Sequence, residues 1–215
     1  DAEIWVFWHG LDLWDISEQC RWALRLCLLT ARRPDEVVRA KKEEFHLRTG
    51  IWRQGTRNKS ARDHSLPLTP LMETCIHALL SASPKSSPWL VPSPLDEKKP
   101  LSRGAVTQVI RRMLRADRSL GIENFTTRDL RRTARSKLSS LNVPNDVARK
   151  VMNHSLEGID RVYDTHDYMP QMKKALEAFS DNIQSIIDAP DYFSLRHQFE
   201  GESLQLPDNS LLYME

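Results

Sequence analysis

"SEQCRWALRLCLLTARRPDEV", residues 17–37, decides how this chain folds. Cys20, Trp22, Ala23, Leu24, Leu26, Cys27, Leu28 and Leu29 form a wide apolar stripe at helical spacing, opened by a serine, Ser17, of the kind that caps helix starts. A helix over 17–30 with so little polar surface belongs at the centre of a core. "ARRPDEVVRA" then opens a second, short helix. Pro34 suits a first turn, where its missing N–H costs nothing, and Asp35 and Glu36 favour the positive end. The joint between the two helices carries Arg33, and a guanidinium fixed there can reach outward as a two-pronged phosphate ligand.

Outward from that joint, "FHLRTGIWRQG" (45–55) and "HSLPLT" (64–69) alternate over short stretches around a Thr49-Gly50 turn, which predicts a small antiparallel sheet. "PLMETCIHALLSAS" (70–83) returns to helical period, and the Ser- and Pro-rich residues 83–100 read as a loop. Beyond it nearly everything is helical, with starts at Ser102, Thr127, Pro144 and Pro170. The expected fold class is mainly α with a small antiparallel β-sheet, α+β in kind.

With 215 residues, 40% of them hydrophobic, the chain can bury one sizeable core, and no internal repeat argues for two. Its longest apolar run, "WALRLCLLTA", is too short for a bilayer and is interrupted by Arg25, and no basic-then-apolar leader opens the chain, so a cytoplasmic protein is expected. Cys20, Cys27 and Cys75 are odd in number and lack metal or redox spacing, and read as reduced core residues. A formal net charge of +2 hides a strong segregation. Residues 21–63 hold twelve Lys/Arg against five Asp/Glu, and residues 103–150 hold twelve against four. Residues 151–215 hold four against twelve. Folding that joins the two basic segments creates a cationic surface suited to phosphates; otherwise they are solvated helix faces.

"FTTRDLRRTARSKL" (125–138) favours the first outcome: Arg128, Arg131 and Arg135 fall at i, i+3 and i+7 on one helix face beside a threonine-capped start. "VMNHSLEGIDRVYDTHDY" (151–168) adds two histidines and two tyrosines, either of which rings could be core or chemistry.

Taken in order, "TARRPDEV", "GTRNKSARDHSLPL", "FTTRDLRRTA" and "VPNDVARKVMNHSLEGIDRVY" resemble the catalytic domain of tyrosine site-specific recombinases, in particular phage and genomic-island integrases. The resemblance covers roughly residues 10–180. The family's T-G-x-R-x-x-E motif falls on Thr30 to Glu36, with Ala31 in place of glycine and the arginine at Arg33. Its β-hairpin lysine, five residues before the histidine of the next strand, falls on Lys59. H-x-x-R falls on Arg128 to Arg131, with arginine in place of the histidine. L-G-H falls on "MNH", giving His154, and the nucleophile nine residues later is Tyr163, leaving Tyr168 to pack or hydrogen-bond. The implied catalytic set is therefore Tyr163, Arg33, Lys59, Arg128, Arg131 and His154. Arg32, Arg57, Arg62, His64, Thr127, Arg132 and Arg135 are the implied DNA contacts.

Each residue type answers a need of the implied reaction. A phenol is protonated at neutral pH and must lose its proton as it attacks phosphorus. Paired guanidiniums offset charge building on the non-bridging oxygens, which is usually the largest catalytic contribution. A lysine ammonium protonates the departing 5′-oxygen, and a histidine donates to the phosphate. Arginine at 128 keeps hydrogen bonding but forfeits proton transfer. The resemblance implies no metal or other cofactor. It implies double-stranded attachment-site DNA and further protomers, in a tetrameric synapse, as partners, with a directionality factor and a host DNA-bending protein beside them and no membrane. It also implies that residues 1–187 form the catalytic domain, followed by an acidic tail over 188–215, and that upstream DNA-binding domains are missing from a longer integrase. A type IB topoisomerase-like enzyme and a catalytically silent DNA-binding module derived from an integrase are the competing readings.

Overall fold

The computed structural model describes residues 1–56, 63–115, 122–154 and 168–190. Helix α1 (Ala2–Leu13) leads into α2 (Glu18–Thr30), whose cap is Ser17, with Oγ accepting from the Cys20 N–H at 3.3 Å. Ala23, Leu24, Leu26, Cys27, Leu28 and Leu29 of α2 are buried to within 1% of full. An α2 this apolar must be covered on all sides, and it packs against α1, α3 (Pro34–Val38), α4 (Pro70–Ala82), α5 (Arg103–Arg115), α6 (Thr127–Ser140) and α8 (Met169–Ile187). Burial of each of its leucines contributes about 2 kcal/mol.

The helix stops at Ala31, which adopts left-handed φ 52°, ψ 22° and returns its N–H to the Leu28 carbonyl at 3.3 Å. That turn needs a residue with little or no side chain, which explains a small residue at this joint. Short α3 (Pro34–Val38) follows. The sheet is a three-stranded antiparallel meander of β1 (Phe45–His46), β2 (Ile51–Arg53) and β3 (Ser65–Pro67), with Phe45 opposite Trp52 and Trp52 opposite Leu66. Gly50, at φ 62°, closes the first turn. Trp52 faces inward, stacked on Phe45 at 5.0 Å, with its indole N–H donating to Glu44 at 2.9 Å.

Helix α7 (Asn145–Val151) lies between α6 and α8, the latter pinned to β3's end by Thr69 Oγ1 and Ser180 Oγ at 2.6 Å. The C-terminal end of α8 returns to α1: Trp5 donates to the Ala189 carbonyl at 3.0 Å and His9 contacts that of Ile187 at 2.9 Å. The mainly helical α+β expectation holds. Strands and helix starts fall within a residue or two of their expected places, and all three cysteines are free and buried. Helix α6 starts at Thr127, as expected; Thr126 caps it, and Asp129 reciprocates by accepting from both the Thr126 N–H and hydroxyl. No helix among the described residues is long and apolar enough to cross a membrane.

Candidate phosphate-binding site

The α2–α3 joint and the end of α7 meet at the side chain of Arg131. Its two terminal nitrogens donate to the Ala31 and Met152 carbonyls, each at 2.6 Å. The left-handed Ala31 turns its carbonyl toward α6, and the capped first turn of α6 aims Arg131 at it. Asn153, left-handed at φ 51°, then bends the chain after α7, and the His154 N–H caps the Arg149 carbonyl at 2.9 Å. Asparagine tolerates that conformation better than most residues.

Arg33 flanks the same joint and is about one-third exposed, with Nη1 3.0 Å from buried Glu36. Glu36 also accepts from the Arg33 N–H at 3.2 Å, so one carboxylate fixes both backbone and guanidinium of Arg33. Burial and then the neighbouring Arg33 guanidinium lower the Arg131 pKa to about 10, with Glu36 opposing, so Arg131 remains charged at neutral pH. His154 is exposed, yet its pKa is lowered, first by partial desolvation and then by Arg131, Arg33, Arg149 and Arg135. Four guanidiniums thus act on one imidazole from three elements. The spot attracts an anion, and a phosphate placed there reverses the electrostatics that hold the ring neutral.

Among the other expected residues, Arg135 donates to Asn145 at 2.6 Å and to Ser139, Arg132 pairs with Asp129 at 2.8 Å on the exposed side, and Arg128 is exposed at the first turn of α6. Helical spacing puts Arg128, Arg131 and Arg135 near one face, but of the three it is Arg131 that reaches the Ala31 and Met152 carbonyls. Three expected DNA contacts are corrected. Arg32 is 1% exposed and Thr127 is 7% exposed, so neither presents a surface to a duplex. Both ring nitrogens of His64 are taken by protein atoms, Nδ1 by Arg32 at 2.6 Å and Nε2 by the Lys150 carbonyl at 2.8 Å. Lys59, Arg57 and Arg62, and the nucleophile candidate Tyr163, lie outside the described residues. Tyr168 packs against the core with the Lys150 ammonium 4.5 Å from its ring centre.

Sequence reasoning missed Arg149 and Lys150, both on α7. The signal for Arg149 was available in its i, i+5 spacing to His154, which a helix ending in a left-handed turn brings back over its own last turn. No group of three or more His, Cys, Asp or Glu able to hold a metal occurs among the described residues.

A search of curated proteins finds no match to the sequence. Solved structures share its fold. An integrase from mycobacterium phage Brujita superposes with a TM-score of 0.61 at 17% identity, over 85% of this chain and 61% of that one. A lambda integrase dimer bound to a COC′ core site gives 0.57 at 14% identity, over 96% and 62%. The XerH recombinase bound to its difH substrate gives 0.57 at 16% identity, over 72% and 46%. The chain therefore spans roughly half to three-fifths the length of these structures. The model of the phage integrase family matches residues 13–169, a span that includes α2 with its left-handed exit, the Arg33, Arg131 and His154 motifs and residues 57–62 between β2 and β3, and by that match the chain belongs to the phage integrase family.

Proposed function

We propose that this chain is the catalytic part of a site-specific DNA recombinase that integrates and excises a mobile element, a prophage or genomic island. It cuts and rejoins strands through a 3′-phosphotyrosyl intermediate, with residues 1–187 as the catalytic domain and 188–215 as an acidic tail. The observation that carries this reading is the convergence of Arg33 and Arg131 beside His154, with Arg131 anchored by two carbonyls and the whole cluster rich in cations. A scissile phosphodiester supplies the missing negative charge. Arg33 and Arg131 hold its non-bridging oxygens and His154 donates to one of them, so the enzyme binds the charge of the pentacoordinate transition state more strongly than that of the ground state. Tyr163 Oη forms the new bond to phosphorus as its proton leaves, the bond to O5′ breaks, and Lys59 gives that oxygen a proton. The phosphotyrosine conserves the bond energy, so the rejoining step is the same chemistry reversed, with the 5′-hydroxyl of the incoming strand as nucleophile.

The neighbours' complexes with recombination-site DNA support duplex DNA as the partner and assembly of several protomers on it. Action on chromosomal DNA places the protein in the cytoplasm. A directionality factor and a host DNA-bending protein complete the proposed partners.

Covalent capture on nicked duplexes from a randomised pool, with chelator present, tests the reading. Wild-type chain and Tyr168→Phe should form an adduct that Tyr163→Phe does not. Equal capture by Tyr163→Phe would contradict Tyr163 as the nucleophile, and no capture by any chain would turn the assignment toward a silent DNA-binding module.

A further inference from the structure

We propose that Arg32 and His64 are positioning residues, a partly buried brace that holds Arg33 and His154 at the separation one phosphodiester requires; the inference rests on the recombinase reading above. Arg32 follows the left-handed Ala31, and its guanidinium turns inward, 5.8 Å from the Trp52 ring centre, to reach His64 Nδ1 at 2.6 Å. A guanidinium can only donate, so Nδ1 accepts and the ring proton is on Nε2, which donates to the Lys150 carbonyl at 2.8 Å. The Gln54 N–H donates to the His64 carbonyl at 2.9 Å, fixing that ring on the strand leading into β3. One imidazole therefore joins three segments: the α2–α3 joint next to Arg33, the exit of the hairpin, and the last turn of α7, four residues before His154.

Arg131 makes a separate tie between two of those segments, through the Ala31 and Met152 carbonyls. A single tie leaves the end of α7 free to rotate about it, whereas two ties on different sides fix both distance and angle. Burial and then the Arg32 charge push the His64 pKa down to about 3, against the raising effect of its bond to Lys150, so the brace keeps one neutral tautomer at working pH. An apolar pair would fill this space without burying a guanidinium, so the polar brace is retained for placement and not for stability. Arg32, 1% exposed, acts on a phosphate only through its neighbours.

The test uses the full chain and a nicked duplex recovered by covalent capture, made in two forms: the natural phosphodiester, and a methylphosphonate whose neutral phosphorus needs little cationic compensation. The double variant Arg32→Met, His64→Leu should melt at or above the wild-type temperature. It should cut the phosphodiester about 100-fold more slowly, the cost of an ångström-scale misplacement, and cut the methylphosphonate at nearly the wild-type rate. His64→Gln, which keeps an acceptor and a donor, should retain most of the phosphodiester rate. Equal slowing on both linkages would reduce the pair to general support of the fold, and no slowing on the phosphodiester would remove the role altogether. If the double variant fails to fold, single His64→Leu and His64→Gln decide: the brace stands only if Gln restores the rate that Leu loses. Failure of the recombinase reading is separate, since the wild type would then capture no duplex.

Discussion

Arg25 and Arg131 are both inward-turned arginines on helices of one core, yet they are furnished in opposite ways. Arg25, on α2, is surrounded by partners: Asp12 at 2.5 Å, the Trp8 carbonyl at 2.7 Å, and the rings of Trp8 and Trp22 at 5.0 and 4.6 Å. Its charge is balanced within the fold. Arg131 is held by two neutral carbonyls, has no carboxylate at ion-pair distance among the described residues, and feels a second guanidinium close enough to lower its pKa. A fold built only for stability has little reason to gather Arg33, Arg131, Arg135 and Arg149 around His154. The contrast separates a cation that is part of the packing from one that is short of negative charge until an anion arrives.

The sharpest way to break that contrast is to remove each arginine in turn. Arg131→Ala should lower the strand-cleavage rate by about 100- to 1,000-fold, the range seen when a transition-state charge donor is deleted, while the protein still folds. Arg25→Ala should do the reverse: it opens a gap beside two tryptophans and costs about 2–5 kcal/mol in a denaturant melt, with the cleavage rate per folded molecule unchanged. A cleavage loss in Arg25→Ala as large as in Arg131→Ala would erase the distinction.

Acid sharpens it further. His64 has a folded pKa of about 3, below its ordinary 6.5, so the unfolded chain binds the proton more readily. Stability from this group is complete above pH 6.5 and is lost as pH falls toward 3, at up to about 1.4 kcal/mol per pH unit. His154, also lowered, adds in the same direction. Urea melts from pH 7 to pH 4 should show a fall that flattens in His64→Leu; an unchanged slope would refute the neutral, partly buried ring. Exposed Arg128 should matter least, and Arg128→His should leave stability unchanged and alter cleavage only modestly. A collapse of cleavage in that variant would mean the position touches the phosphate as intimately as Arg131.

Much of this was legible before any coordinates, for identifiable reasons. The α2 stripe, its Ser17 cap and Pro34 at the next helix's first turn are local signals, and each appears as read. Short ordered motifs mark Arg33, Arg131 and His154, and the fold brings the three near one another. What spacing could not show was direction. Arg32 and Arg33 are adjacent and chemically identical, yet one points into the core toward His64 and the other toward the surface beside Glu36. That choice is made by the left-handed Ala31 and the hairpin packed against it, a tertiary matter. Thr126 and Thr127 pose the same ambiguity at shorter range, since either can cap a helix, and reciprocal bonding with Asp129 selects the first.

The most direct test of an anion-hungry site is the titration of the His154 ring, followed by NMR of ring-labelled protein in the presence and absence of inorganic phosphate, with exposed His46 as the internal control. The His154 pKa should rise saturably as phosphate binds beside Arg33 and Arg131, with no comparable change at His46, and the rise should be lost in Arg131→Met. A His154 pKa that ignores phosphate, or that moves in step with His46, would contradict the anion-hungry site.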